Sequence, residues 1–254
     1  TASSTLTAGS LNDAIFKVLG CDNLTIRNFT MQENAGNTTI AAASNNMTEW
    51  GVALIYLSAS NGSQNFLLEN NTISLNRNYQ NTFGFYANST HTLTSVTSTA
   101  TATGTAGANN GLKIYGNNVS NVNNGILICG PTNASDNNNG VDIGGSSALT
   151  ANTISNFGKT GTFSGYANVS GSVFGVLVRN SINVNVSNNS ISSANAGVTS
   201  GSLRGVYFPN FTNAPNGGTS ANINSNVISL ISGSASGSIE GVSVESSALN
   251  VLNT

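Results

Sequence analysis

Charged residues are scarce in this sequence. Lysine and arginine together number 7, and aspartate and glutamate 9, among 254 residues, so the formal net charge is −2. A nucleic-acid-binding surface needs a basic stripe to neutralise phosphates, and the sequence contains no such stripe. We therefore expect no nucleic-acid partner.

Long apolar runs and helical patterns are also missing. No apolar segment approaches the roughly 18 to 20 residues that a membrane-spanning helix needs, and no run of good helix formers repeats with the helical period. The apolar residues are nevertheless periodic, unlike those of disordered chains. The sequence predicts an all-β protein without a membrane span. Its surface of Thr, Ser and Asn is more typical of extracellular than of cytoplasmic proteins.

Only two cysteines are present, Cys21 and Cys129. Each follows a predicted strand, and three repeats separate them, which places them about 14 Å apart along the stacking direction. A disulfide needs Cα atoms within about 7 Å. We expect two free thiols that act as small apolar residues, rather than a bridge or a reactive pair.

What the sequence does contain is a two-part repeat. The first half reads apolar-x-x-Asn-x-[Ile/Val]-Ser, and the second is a glycine followed by alternating apolar residues. Copies of the first half lie at 68–74, 114–120, 149–155, 186–192 and 223–229, after a degenerate copy at 26–32, and the second half begins at Gly51, Gly84, Gly125, Gly175, Gly205 and Gly241. The five intervals from Gly51 to Gly241 cover 190 residues, a mean of 38. A repeat of that length is typical of a solenoid.

The residue types indicate which solenoid. Apolar residues at every second position are spaced as in strands, and Asn, Gly and Ser between them favour turns. Stacked repeats would place equivalent strands side by side in parallel sheets about 4.8 Å apart. The sequence predicts a parallel β-helix of about six to seven coils with loop insertions of variable length, forming a single domain over residues 1–254. Because the pattern is interrupted at both ends, we expect a segment of a longer protein.

One asparagine recurs in the same position of five successive repeats. These residues are Asn71, Asn117, Asn152, Asn189 and Asn226, and Phe29 takes the position in the degenerate first copy. Asparagine tolerates the left-handed conformation of a turn, and stacked amides can hydrogen-bond along a column. The pattern predicts a structural ladder rather than a ligand site, since a ligand site would not need the same residue in every coil.

Aromatic residues offer a second candidate site. Trp50, Tyr56, Tyr86 and Tyr115 could form a strip on which sugar rings stack, because aromatic faces suit carbohydrates. The alternative is ordinary packing at the strand ends.

The segment 136–142 offers a weak metal site. Its two carboxylates, Asp136 and Asp142, flank an asparagine run and a glycine, a composition that would suit loosely bound Ca²⁺. Two carboxylates fall short of the full ligand set of a calcium loop. A simple turn is therefore the alternative, and no other cofactor is expected.

Catalytic patterns are weak. His91 stands between threonines, and no Asp-Asp pair occurs. The parallel β-helix enzymes that cleave acidic polysaccharides resemble this chain in fold, and as a family they use clustered Asp residues with Ca²⁺ and an Arg or Lys base, or Asp residues near Gly-His-Gly. The nearest candidates for such chemistry here are Glu49, Glu69 and Arg27, which are close in coil register.

The repeats at 70–74 with Gly84 and at 188–192 with Gly205 are similar to the right-handed parallel β-helix repeats of large secreted bacterial surface proteins. The segment 136–145 resembles spacers in surface proteins exported by type IX secretion. The resemblance implies a right-handed β-helix, an extracellular or cell-surface location, and partners among extracellular glycans or cell-surface proteins.

Two functional classes remain open. The first is a non-catalytic adhesin, stalk or fibre segment that presents loops from a rigid rod. The second is a polysaccharide lyase, hydrolase or carbohydrate-binding domain of the same fold. Ice binding is a minor third option, because Thr-x-Thr does not recur in register. In the first class, contacts are expected from loops such as 88–110 and 209–220.

Overall fold

The computed structural model describes residues 13–39, 47–79, 82–88, 102–158, 173–193, 202–209, 219–231, 238–245 and 249–252. These residues form β-strands, turns and three short 3-10 helices at Thr105–Gly107, Ala134–Asp136 and Ala148–Thr150. The strands are β1 Ala14–Leu19, β2 Thr25–Arg27, β3 Thr30–Gln32, β4 Trp50–Ile55, β5 Leu67–Glu69, β6 Thr72–Ser74, β7 Phe83–Asn88, β8 Lys113–Tyr115, β9 Asn118–Ser120, β10 Asn124–Cys129, β11 Asn138–Asn139, β12 Asp142–Ile143, β13 Thr153–Ser155, β14 Val173–Arg179, β15 Ser181–Ile182, β16 Val184–Ser187, β17 Ser190–Ser193, β18 Leu203–Phe208, β19 Thr219–Asn224, β20 Val227–Leu230, β21 Ile239–Val244 and β22 Leu249–Leu252.

The chain visits three sheets in a fixed order. Sheet 1 has the strand order β1-β4-β7-β10-β14-β18-β21, sheet 2 has β2-β5-β8-β12-β16-β19-β22, and sheet 3 has β3-β6-β9-β13-β17-β20. All of these pairings are parallel, as is the small pair β11-β15. We call one passage through sheets 1, 2 and 3 a coil. The all-β architecture and the stacked parallel sheets are compatible with the predicted parallel β-helix.

The core lies between the three sheets. Ile73, Val119, Ile154 and Ile191 of sheet 3 are fully buried and pair in register from coil to coil. The alternation after each repeated glycine predicts that Val176, Val178, Val206, Val242 and Val244 point into the same core. Val176, Val178 and Val206 are buried there, and Ile228 is partly buried against the same cluster.

The prediction is wrong for Val242 and Val244, which are 47% and 39% exposed. Both lie on β21, the edge strand of sheet 1, which pairs only with β18. No described strand of that sheet covers its other side.

The repeated glycine is explained by close contact between sheets 1 and 3. A Cβ atom on Gly175 would lie 2.5 Å from Ile191 Cγ2 and 2.8 Å from the carbonyl oxygen of Gly205. Gly51, Gly84, Gly125 and Gly205 meet the same pair of obstacles, a β-branched side chain of sheet 3 and the glycine carbonyl of the next coil. A Cβ atom has no room there, which explains why the position is glycine. The glycine of the second half of the repeat and the Ile or Val of the first half are therefore in direct contact.

One repeat differs from the sequence pattern. The pattern places Leu149 in the apolar position three residues before the ladder Asn152, but Leu149 is 93% exposed on a 3-10 helix. Ile143 occupies that position instead, in register with Ile114 and Val186. The chain leaves the sheet after Ile143 and returns at Asn152, so the extra residues displace Leu149 without shifting the ladder.

Candidate functional sites

The predicted asparagine ladder forms where each coil passes from sheet 2 to sheet 3. The backbone N–H of Asn117 and its side-chain Nδ2 both donate to Oδ1 of Asn152, over 2.9 and 3.1 Å, and Nδ2 also donates to the carbonyl of Leu68 over 3.0 Å. Asn71, Asn152 and Asn189 repeat this pattern toward the next coil, and all four side chains are at most 1% exposed. Each amide both accepts and donates, which supports the structural interpretation.

The backbone conformation expected of these asparagines is wrong. The left-handed residue precedes four of the five ladder positions: Asn70, Gly116, Asn188 and Ser225 have φ angles of 55°, 65°, 63° and 52°. Before Asn152, Ala151 is extended at a φ of −60°. The left-handed residue turns the chain through the corner. The ladder asparagine that follows can therefore direct its amide inward.

The other two corners carry polar columns that the sequence did not reveal. Between sheets 1 and 2, the N–H of Ser63 donates to Asn109 Oδ1 over 2.7 Å, and the N–H of Asn109 donates to Asn138 Oδ1 over 2.9 Å. Between sheets 3 and 1, the N–H of Asp13 donates to Glu49 Oε2 over 2.6 Å, and the N–H of Asn123 donates to Thr82 Oγ1 over 2.7 Å. The residue type changes along both columns, so no repeated letter marks them.

Carboxylates gather at the corner between sheets 3 and 1. Glu49 is fully buried and accepts a hydrogen bond from the Tyr79 hydroxyl over 2.9 Å as well as the one from Asp13. Asp13 is 8% exposed, and its Oδ1 has no hydrogen-bond partner among the described residues. Burial, and then the charge of Glu33, raise the pKa of Asp13 to about 6. We call Asp13, Glu33, Glu49 and Tyr79 the acidic corner.

Glu33 organises the turn that follows β3. It accepts hydrogen bonds from the backbone N–H groups of Asn34 and Thr48 over 3.1 and 2.9 Å, and from Asn37 Nδ2 over 2.6 Å. An open recess of about 520 Å³ lies beside it. The recess is lined by Glu33, Asn34, Ala35, Asn37, Thr38, Leu75, Asn76 and Asn78.

The structure does not bring the three enzyme candidates together. Arg27 and Glu69 face each other in register on sheet 2, as predicted. Glu49 is instead engaged at the acidic corner by Asp13 and Tyr79. A catalytic group of Glu49, Glu69 and Arg27 is therefore not formed.

Three of the four residues of the predicted sugar strip are buried. Trp50 and Tyr86 are fully buried and stack at 5.1 Å between ring centroids, while Tyr56 is 7% exposed and donates its hydroxyl hydrogen bond to Asn138. Burial raises the pKa of both tyrosines. Trp50 and Tyr86 belong to an apolar cluster on the side of sheet 1 that faces away from the core. The sugar-strip prediction is wrong for these three residues, because they expose no ring face.

Tyr115 differs from the other three. It is half-buried on the outer face of sheet 2 and donates a hydrogen bond to Asp142 Oδ2 over 2.5 Å. Burial, followed by this hydrogen bond, raises the pKa of Tyr115. The structure therefore joins one residue of the predicted sugar strip to one of the predicted metal ligands.

The two carboxylates of the predicted calcium site have separate partners. Asp142 Oδ1 accepts from the Gly145 N–H over 3.1 Å and from Asn185 Nδ2 over 2.7 Å. Asp136 Oδ2 accepts from Asn133 Nδ2 over 2.5 Å and from the Ser135 hydroxyl over 3.1 Å. A cation at either carboxylate would compete with these donors for the lone pairs of its oxygens. Within the described residues, no group of three or more His, Cys, Asp or Glu side chains is placed to hold a metal ion.

Neither Cys21 nor Cys129 is part of a disulfide. Cys21 is exposed, whereas Cys129 is buried in the apolar cluster of sheet 1. Burial raises the pKa of the Cys129 thiol to about 12, so it stays protonated and acts as a small apolar side chain.

Several predicted features lie outside the described residues. They are His91 and most of the loops 88–110 and 209–220. In the part of the chain that the structure covers, no helix has the length and apolar character to cross a membrane. Comparison with known proteins finds no matching family model, curated protein or solved structure.

Proposed function

We propose that this chain is a right-handed parallel β-helix of six to seven coils that serves as a non-catalytic extracellular module. It would be an adhesin, stalk or fibre segment of a cell-surface protein exported by a type IX-like route. Its partners would be extracellular glycans or other cell-surface proteins. The observation that carries the proposal is the continuous buried hydrogen bonding from Asn71 to Asn226.

That hydrogen bonding supports a stiff rod. Each ladder amide is held by the backbone of the preceding coil and by the amide of the following one, as Asn152 is by Ile114 and Asn189. Bending the stack would leave buried amides without partners, and each such group costs about 1–3 kcal/mol. A rigid scaffold of this kind suits a stalk or an adhesive surface.

The positions of several carboxylates favour a structural role over catalysis. Glu49 is enclosed, Asp142 accepts three hydrogen bonds, and Glu240 is paired with Arg204 over 2.6 Å. Hydrogen bonds from Ser238, Ser243 and Arg204 lower the pKa of Glu240 to about 2. Acid–base cleavage of a glycan would instead need a tuned pair with access to the substrate.

The acidic corner is the observation that favours the alternative, a polysaccharide lyase or hydrolase. Asp13 has a raised pKa, as a general acid would, and Glu33 borders an open recess. A carbohydrate-cleaving site at this corner would need both residues.

A degradation screen separates the two functions. Neutral and acidic polysaccharides are incubated with the protein, and reducing ends and unsaturated products are measured. We expect no product from any of them. Product formation that is lost in Asp13→Asn and Glu33→Gln, but kept in the control Asp22→Asn, would establish the enzyme instead. Protease treatment of intact source cells tests the location, since a surface module is cleaved without lysis.

A further inference from the structure

We propose that the outer face of sheet 2 binds a neutral polysaccharide on a surface built from Tyr115, Asp142, Asn185 and Asn222, which we call the sheet 2 platform. This inference rests on the proposed extracellular function and names the class of partner. It places the contact on the wall of the rod, in addition to any contact made by loops.

The platform is built around a column of polar residues in register, with Tyr115 two positions further along β8. Lys113, Asp142, Asn185 and Asn222 occupy one outward position in four successive strands of sheet 2. Neighbouring strands are about 4.8 Å apart. The column therefore presents evenly spaced donors and acceptors along the stacking direction, which suits the repeated hydroxyl groups of a glycan chain.

Hydrogen bonds within the column hold these side chains in place. Asp142 accepts from Tyr115 and from Asn185 Nδ2, and Asn185 Oδ1 accepts from the Ser187 hydroxyl over 2.6 Å and from Asn222 Nδ2 over 3.3 Å. The network crosses the four strands β8, β12, β16 and β19. A surface ordered before binding loses little side-chain entropy when a ligand arrives.

The ring of Tyr115 lies over a gap in the neighbouring coil. Gly144 donates its backbone N–H to the carbonyl of Ile114, so Gly144 is the neighbour of Tyr115 in the next coil. A Cβ atom on the following Gly145 would approach Tyr115 Cε1 to 3.3 Å. The missing side chains leave room for the ring across the glycine backbone, where its hydroxyl reaches Asp142. A partly exposed ring of this kind offers an apolar face with a polar tip, which matches the apolar face and the hydroxyls of a sugar.

The charges on this face favour a neutral ligand. Lys113 stands beside Asp142 in register, and Arg27 stands beside Glu69. Each cation is offset by a neighbouring carboxylate, and the following positions, Asn185 and Asn222, are amides. An acidic polysaccharide would need an excess of positive charge that this surface lacks.

Affinity electrophoresis tests the platform with defined probes. The protein is run through native gels containing amylose, soluble β-1,3-glucan, mannan or hydroxyethylcellulose as neutral polysaccharides, and polygalacturonate or heparin as acidic ones. We expect at least one neutral polysaccharide to retard the wild-type protein. Tyr115→Ala should weaken that binding by at least tenfold.

Tyr207→Ala is the matched control. Tyr207 is also a partly buried tyrosine on an outward position, and its hydroxyl donates to the Glu245 carboxylate over 2.7 Å, but it lies on sheet 1. The Tyr207→Ala protein should bind the neutral polysaccharide as strongly as the wild type does. Asn222→Ala is a second platform variant that leaves Tyr115 in place and should weaken binding at least threefold, so the test survives if Tyr115→Ala unfolds.

Three results would overturn the platform: no retardation by any neutral polysaccharide, stronger retardation by the acidic ones, or wild-type binding by folded Tyr115→Ala and Asn222→Ala. None of these results involves cleavage. Release of product in the degradation screen would instead refute the proposed function, so the two failures can be told apart.

Discussion

Columns of identical residues and columns of mixed residues run side by side in this molecule. The asparagine ladder and the repeated glycines keep one residue type from coil to coil. The column between sheets 3 and 1 contains Asp13, Glu49 and Thr82, yet its positions are equally buried. Burial alone therefore does not decide whether a residue repeats.

The difference lies in the number of conditions that each position must meet. A ladder side chain must accept a hydrogen bond from the asparagine of the preceding coil. It must also donate to a backbone carbonyl of that coil and to the asparagine of the following coil, as Asn117 does. Only an amide of that length does both. The Thr82 hydroxyl also donates to the Tyr79 carbonyl over 3.0 Å, but the one condition that Glu49 and Thr82 share in the mixed column is an oxygen that accepts a backbone N–H. Hydroxyl and carboxylate groups meet that single condition equally well.

The largest loss of stability is expected when a ladder asparagine is replaced by aspartate, a residue type that occurs in the mixed column. Asn152→Asp keeps the acceptor but replaces Nδ2, which lies 2.7 Å from the Ile114 carbonyl and 2.9 Å from Asn189 Oδ1, with a charged oxygen. We expect the free energy of unfolding to fall by about 3–5 kcal/mol at neutral pH. Urea unfolding measures the change.

The pH dependence of this variant has a definite sign. Burial raises the pKa of the new carboxyl above its unfolded value, so the loss of stability grows as the pH rises above about 4. Asn139→Asp is the control, because Asn139 is exposed. An Asn152→Asp protein as stable as this control at pH 7 would contradict the role given to the ladder.

A smaller effect is expected in the glycine column. Gly175→Ala places a Cβ atom 2.5 Å from Ile191, and this overpacking should lower the free energy of unfolding by about 1–3 kcal/mol. Gly241→Ala is the control in the same column, where the nearest atom would lie 3.9 Å away. Equal melting temperatures for the two variants would show that the close contact is relieved at little cost.

A loss of about 1–2 kcal/mol is expected when Thr82 of the mixed column is replaced by alanine. The change leaves the buried N–H of Asn123 without its acceptor. Thr82→Ser keeps the oxygen and should recover most of the loss. Chemical unfolding of both variants checks whether the position requires the hydroxyl, which accepts from Asn123 and donates to the Tyr79 carbonyl. A serine variant as unstable as the alanine variant would argue against it.

The last expected effect is a change in the pH dependence of stability at the acidic corner, rather than a loss of stability at neutral pH. The pKa of Asp13 is raised from 3.8 to about 6, so its contribution to stability is complete below about pH 4 and is lost as the pH rises through 6. Asp13→Asn cannot ionise and should lack this decline between pH 4 and 7. Thermal unfolding across that range measures it, with Asp22→Asn expected to keep the wild-type slope.

The same distinction explains what the sequence could and could not predict. The positions of Asn117, Gly175 and Ile191 were recognisable because neighbouring coils impose the same conditions on them, which produces a repeated letter. The polar columns at the other two corners change residue type from coil to coil and produce no such pattern. For Trp50 and Tyr86 the sequence leaves both packing and a sugar strip open, because alternation predicts one buried face, whereas β4 and β7 of sheet 1 are buried on both.

The sheet 2 platform could be predicted only in part. Tyr115 and Asp142 were both singled out, but for different ligands and 27 positions apart in the chain. Their contact depends on Ile143, rather than Leu149, taking the inward position. The extra residues after Ile143 hid that register.

Those extra residues also bear on protein engineering. Two residues separate Ile114 from Asn117, whereas eight separate Ile143 from Asn152, and the strands on both sides keep their pairing with the neighbouring coils. Closing a longer loop costs only about 0.6 kcal/mol for each doubling of its length. The corner between sheets 2 and 3 can therefore host grafted peptides or epitope tags in other coils, provided that the graft ends at the ladder asparagine.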